Sequence, residues 1–217
     1  MDILYEDDQI VVINKPAGLS VLPDGWEENS NYVVKELESH YKKIWIVHRL
    51  DKVTSGVMVF AITAEAHRNL SVQFEKHEVD KVYHAIANGN PAWEEKIAKH
   101  PLRINVGHRH RTAVDPRNGK PAETHFTVVE RYKDNVLFEA RPLTGRTHQV
   151  RVHAMALGHP LLADVLYGAE ETEIIGRPAL HAKSITFKHP TTGNIISFEA
   201  PYPEDLKNAH KSLQNRK

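Results

Sequence analysis

The sequence has no cysteine, which excludes a disulfide framework, a thiolate nucleophile and any cysteine-ligated zinc or iron–sulfur centre. It also has no long apolar run. The longest, Val57 to Ile62, spans about six residues, where a membrane helix needs about 20. The opening Met1-Asp2-Ile3-Leu4-Tyr5-Glu6-Asp7-Asp8 is acidic and lacks the basic start and apolar stretch of a secretory signal, so a cytoplasmic location is expected. There is no Gly-rich phosphate loop, no dinucleotide fingerprint and no Gly-x-Ser-x-Gly elbow. Nucleotide-driven transfer, hydride transfer and α/β-hydrolase chemistry therefore lack their usual machinery. Only 11 glycines and 12 prolines occur among 217 residues, and with 41% hydrophobic and 26% charged residues the composition is that of an ordinary globular domain.

Charge of either sign is not scarce, but it is unevenly placed. Lys plus Arg and Asp plus Glu balance at 28 each, yet residues 1–80 carry a net charge of −6 and residues 81–160 one of +6. The basic third also holds 8 of the 15 histidines. His108-Arg109-His110-Arg111, Arg117, Lys120, Arg141, Arg146 and Arg151 crowd there, the electrostatic footprint of a nucleic-acid surface.

Alternation and run length predict strands at Ile3–Tyr5, Ile10–Ile13, Ile44–Val47, Val57–Ile62, Lys81–Ala87, Thr124–Glu130, Val136–Ala140, Ser184–Lys188 and Ile195–Glu199. Helical spacing predicts a helix over Tyr32, Val33, Leu37 and Tyr41 behind the capping run Asn29-Ser30-Asn31, and another over Ala64–Phe74. A third is predicted over Leu143–Gly158, capped near Thr144 and ended by Gly158. Residues 91–121 read as a long exposed hairpin or insertion rather than core, and residues 206–217 as a polar tail that frays. Many strands with few helices and no βαβ alternation predict an α+β fold on a largely antiparallel sheet, one domain over residues 1–217.

The 15 histidines invite a metal test. His148 and His153 are five apart, about 140° around a helix, and no His-Glu-x-x-His occurs. His108 and His110 share a strand face without a third ligand in view. No metal site is expected. A sharper constellation pairs Asp51, in the polar loop His48-Arg49-Leu50-Asp51 between two apolar strands, with Arg151 far away in sequence. An acid at the end of a buried strand is costly to keep ionised unless a cation is brought to it. A structural Asp–Arg pair and a catalytic one both satisfy that demand.

His48-Arg49-Leu50-Asp51 followed by Thr54-Ser55-Gly56, Lys15-Pro16-Ala17-Gly18 after a strand, Lys81-Val82-Tyr83, Gly145-Arg146-Thr147-His148-Gln149-Val150-Arg151-Val152-His153 and Leu180-His181-Ala182 occur in one order and spacing. Together they resemble the RluA family of RNA pseudouridine synthases, over nearly the whole chain from Ile3 to about Pro201. The resemblance implies isomerisation of specific uridines in structured ribosomal or transfer RNA, without any cofactor, by a protein with no implied protein partner. Asp51 matches the family's catalytic carboxylate, which either attacks covalently or assists ribose deprotonation. Arg151 matches the arginine that pairs with it, and Tyr83 the tyrosine that stacks on the target base. Arg49 matches a position whose guanidinium fills the space left by the flipped base, and Leu180 the apolar residue lining the pocket. Arg146 and the insertion arginines, Arg109 and Arg111 among them, then serve as RNA backbone contacts. His48 and His148 are expected to organise their loops rather than act as bases. Many relatives carry a small RNA-binding module ahead of the catalytic domain, whereas this sequence starts directly in the first strand, so RNA capture is expected to rest on the catalytic domain and its basic insertion at residues 100–121. No heptad or charge imbalance suggests more than a monomer. Two other readings are a non-catalytic RNA-binding or chaperone-like protein and a histidine-based metallo-phosphoesterase.

Overall fold

Ile10-Val11-Val12-Ile13 offers no polar residue to turn outward, and all four side chains are fully buried. In the computed structural model, which describes residues 1–23, 31–107 and 111–216, strand β1 is Asp2–Glu6, β2 Ile10–Lys15 and helix α1 Val33–Glu38. β3 (Trp45–Ile46), β4 (Ser55–Ala61), α2 (Ala64–Glu75) and β5 (Asp80–Asn88) follow. Next come β6 (Glu95–Ala98), β7 (Leu102–Val106), β8 (Arg111–Val114), β9 (Thr124–Arg131) and β10 (Asn135–Pro142). The chain closes with α3 (Gln149–Ala156), a 3-10 turn (Val165–Tyr167), β11 (Leu180–Lys188), β12 (Ile195–Glu199) and α4 (Glu204–Gln214). It groups into two compact units, Met1–Lys81 with Ala182–Pro201, and Val82–His181 with Tyr202–Lys217.

In the first unit the strand order is β1-β2-β4-β11, with β3 on β4 and β12 on β11. β1–β2, β2–β4, β3–β4 and β11–β12 pair antiparallel. Every residue of β4 is buried, which explains why its sequence is an apolar run rather than an alternation. Helix α2 starts as the sequence predicts: Thr63 Oγ1 accepts from Ala66 N at 3.2 Å. At α1 the N-cap is Tyr32, whose N–H donates to the Asn31 side chain at 3.1 Å. Asn29 and Ser30 lie outside the described residues. Gly56, at φ 118°, is obligatory, because a Cβ there would stand 2.1 Å from the Ala182 carbonyl oxygen.

In the second unit β5-β10-β9-β6 form consecutive antiparallel pairs, and β7 pairs with β8 in a separate hairpin. The core gathers Ala85, Phe126, Phe138, Val150, Ala154 and Leu161. The α+β class and antiparallel pairing agree with the expectation from sequence. Three local expectations need correction. First, residues 91–121 are not wholly an exposed insertion. β6 joins the sheet through β9, and Ala98, Leu102 and Thr112 are buried; one inward residue per short strand leaves no visible alternation. Second, helix α3 begins at Gln149, not near Thr144. Thr144 Oγ1 instead donates to Gln149 Oε1 at 2.7 Å, which ties residues 144–148 into a turn. Its C-terminal end, at Gly158 with φ 87°, is as read.

Third, residues 204–214 form helix α4 rather than a frayed tail. Leu206, Ala209 and Leu213 lie on one face and join a core cluster with Ile86, Leu137 and Ile175. The bidentate Arg177–Asp205 pair (2.7 and 3.0 Å) fastens its first turn, and the Tyr132 Oη–His210 Nδ1 hydrogen bond (2.6 Å) its middle. Three small or medium apolar residues among many polar ones made a weak stripe, easily mistaken for solvent-facing sequence. Leu206→Ala should therefore destabilise the protein by about 2–4 kcal/mol in urea unfolding; a frayed tail would lose less than about 0.5 kcal/mol.

Candidate active site

The loop carrying Asp51 is built around a buried cation. Lys15 at the end of β2 has 0% exposure, and its Nζ donates to the carbonyls of Pro16 (2.8 Å), Leu19 (2.8 Å) and Lys52 (3.3 Å). Gly18 N also donates to Lys52 O at 2.8 Å. A buried ammonium is tolerated when its three donors are met, and here they clamp the turn after β2 onto the residue beside Asp51. Within the loop, Thr54 N donates to Asp51 O at 3.0 Å. Leu50 points inward at 7% exposure, leaving Arg49 exposed and Asp51 half-buried. His48 Nε2 accepts from Val59 N at 3.1 Å, and the ring stacks on Phe74 with centroids 4.8 Å apart. Burial, reinforced by the Lys81 charge, pushes His48 down to about 3. It is neutral at physiological pH and holds the loop to β4.

In the second unit the segment from Arg146 to His153 is a hub in which nearly every polar side chain has a holding role. Gln149 Nε2 donates to Glu123 O and Thr124 Oγ1, both at 2.9 Å, while its Oε1 accepts from Thr144 Oγ1 and Arg146 N. Arg146 Nε donates to Pro121 O at 3.2 Å. His153, fully buried, bonds Thr124 Oγ1 (2.9 Å) and the His100 carbonyl (3.1 Å), and burial lowers its pKa. Val150 and Val152 fill apolar clusters. Arg151, 4% exposed, makes a bidentate ion pair with Asp164: Nε and Nη2 each lie 2.7 Å from a carboxylate oxygen, with Asp164 at 0% exposure. Its guanidinium also sits over the Tyr167 ring, 5.0 Å from the centroid. Tyr83 pairs with Ala140 across β5–β10 and packs on the same core cluster as Leu180 and Val150.

The sequence that builds this loop and this hub matches a known family. Residues 9–156 match the family model for RNA pseudouridylate synthase. The chain belongs to that family. It is 42% identical over 201 residues, 92% of both chains, to the dual-specificity RNA pseudouridine synthase RluA of Escherichia coli (strain K12). It is also 41% identical to the ribosomal large subunit pseudouridine synthase D of Neisseria meningitidis, over 95% of this chain and 59% of that one. The solved human RNA pseudouridylate synthase domain containing 1 superposes with a TM-score of 0.79 at 26% identity, covering 96% of this chain and 86% of that one.

The residues expected from sequence to serve this pseudouridine synthase fall in both units. Asp51 and Arg49 lie on the first unit's loop. Tyr83, Arg146, Arg151 and Leu180 lie in the second, and of these Tyr83 and Leu180 share a cluster with the helix that carries Arg151. Arg111 is exposed on β8, and Arg109 lies outside the described residues. Sequence reading missed Asp164 and Tyr167 altogether, although a buried arginine demands an acid and Asp164 lies 13 residues further along the chain. It named Lys15 without seeing its role. Lys81, two residues before Tyr83, is drawn down to about 8 by burial, against the opposing pull of Asp80.

Among the described residues no group of three or more His, Cys, Asp or Glu could hold a metal ion. Because His48 binds its proton far more weakly folded than unfolded, the stability it contributes is complete above pH 6.5, its ordinary value, and is lost as pH falls from there toward about 3. Urea unfolding between pH 4 and 7 should show this loss, and His48→Gln should reduce the pH slope by about one proton. An unchanged slope would contradict the assignment.

Proposed function

We propose that this synthase converts specific uridines of structured ribosomal RNA, transfer RNA or both into pseudouridine, with Asp51 as the catalytic carboxylate. The observation that carries the assignment is the loop itself. In a chain of this family, a half-buried Asp51 sits on backbone that the Lys15 ammonium, the Thr54 N–H and the His48 ring hold in place. Such preorganisation suits a reacting group rather than a surface acid. The RNA class is supported by the 42% identity, over nearly all of both chains, to an enzyme named for dual specificity.

The reaction moves C1′ of the ribose from N1 to C5 of the same uracil. The C1′–N1 bond breaks, a C1′–C5 bond forms, the C5 proton leaves and N1 gains one. Electrons and atoms balance with no co-reactant. Asp51 begins the sequence either by attacking C1′ or by taking a ribose proton. Arg151 supplies the positive charge that the carboxylate requires, held by Asp164 and by the Tyr167 ring. Tyr83 offers a flat face for the base turned out of its stack, Leu180 the apolar wall beside it, and Arg49 a guanidinium for the vacated space. Arg111 and Arg146, and by the family resemblance Arg109, serve as contacts to the RNA backbone in this reading.

Incubation with RNA tritiated at uridine C5, in the presence of chelator, should release tritium with the wild-type protein and fall by at least about a thousandfold with Asp51→Asn. Release by Asp51→Asn within tenfold of wild type would remove Asp51 from the chemistry, and no release by either protein would favour a non-catalytic RNA-binding role. Arg111→Ala should weaken binding across RNA sequences and reduce the slope of log K against log salt by about one. Filter binding at several salt concentrations reads both effects.

A further inference from the structure

The β7–β8 hairpin is tied to the segment from Arg146 to His153 at three places: His153 to the His100 carbonyl ahead of it, Arg146 to the Pro121 carbonyl behind it, and a third by way of Tyr167, which contacts His148 and Arg151. The third differs in kind, because it ends on Arg151. Tyr167 is 3% exposed, and its Oη accepts from Thr112 N on β8 at 3.1 Å. The same oxygen lies 2.7 Å from His148 Nδ1, and the ring face underlies the Arg151 guanidinium. His148 is the N-cap of α3 and sits in the left-handed region at φ 54°, a conformation costing about 1–2 kcal/mol for a non-glycine residue. The hydrogen bond to Tyr167 helps to hold it there. Asp164 and Tyr167 belong to one turn, since Tyr167 N donates to Asp164 O at 2.9 Å. Thr112 on β8 is therefore joined to the Arg151 guanidinium through one phenol and one turn.

We propose that Tyr167 is the positioning residue that links the β7–β8 hairpin to Arg151, so that RNA seated on the hairpin sets the guanidinium for reaction. The proposal rests on the roles given above to Arg151 and to the hairpin. Tyr167 itself touches neither base nor ribose. Its hydroxyl is the element that matters: the ring alone preserves packing and the cation–π contact, while the hydroxyl carries the tie to β8 and to His148.

The test compares wild type, Tyr167→Phe and Arg151→Ala on a stem-loop RNA, measuring the single-turnover rate at saturating RNA, the dissociation constant and the thermal midpoint. Tyr167→Phe is expected to slow the saturating rate about tenfold, a misaligned reacting group rather than a lost one, with affinity within twofold and the midpoint showing a folded protein at assay temperature. A rate within twofold of wild type overturns the proposal, as does a rate loss matched by an equal loss of affinity. If Arg151→Ala keeps the wild-type rate, the assigned role of Arg151 falls and the proposal with it. If Arg151→Ala is inactive while Tyr167→Phe is normal, only the positioning role falls. On the unaltered protein, RNA binding should slow hydrogen exchange at Thr112 N–H and Arg151 Nε–H together; slowing at Thr112 alone overturns the link.

Discussion

A guanidinium with almost no access to water must be met by a negative charge, and Asp164, entirely buried, meets Arg151 with two parallel hydrogen bonds. Desolvating both charges is expensive, and removing either partner of such a pair costs about 3–5 kcal/mol. The surrounding structure is arranged to keep it. Helix α3 delivers the arginine, the 3-10 turn delivers the acid, and the Tyr167 ring closes one face. What the pair contributes is geometry rather than net stability: a planar fork has one way to sit on a carboxylate, so Asp164 restrains the plane of the guanidinium.

Lys15 solves a related problem in the other unit by different means. Its ammonium donates to three backbone carbonyls, so the positive charge shapes a loop. The chain thus uses one buried cation to fix the backbone beside Asp51 and another to present a side chain. Histidines fill in around both. His48 and His153 are kept neutral by burial and act as hydrogen-bonding struts.

Much of this was legible in the sequence where one physical effect dominated. The apolar run of β4, the helical spacing of α2 and the glycine at the end of α3 each announce themselves, and the motifs around Asp51 and Arg151 point to the family. Less legible were features in which several weak effects add. The stripe of α4 is narrow. β6 turns only Ala98 inward, and the start of α3 is displaced by a side-chain bond from Thr144 to Gln149 that no propensity encodes. The site was legible as residue types but not as a network. Asp164, which holds Arg151, lies in a stretch with no catalytic pattern. Long-range pairs such as His153 with the His100 carbonyl leave no trace in local sequence.

The central claim is that the buried fork on Asp164 sets the arginine on which isomerisation depends. Asp164→Asn keeps the shape of the side chain and removes its charge, so the most direct test is the rate at which this variant forms pseudouridine in a single turnover, at a temperature where circular dichroism shows it folded. The account predicts a fall of at least about a hundredfold, equivalent to about 2.7 kcal/mol of transition-state stabilisation. A folded Asp164→Asn protein working within threefold of the wild-type rate would contradict it.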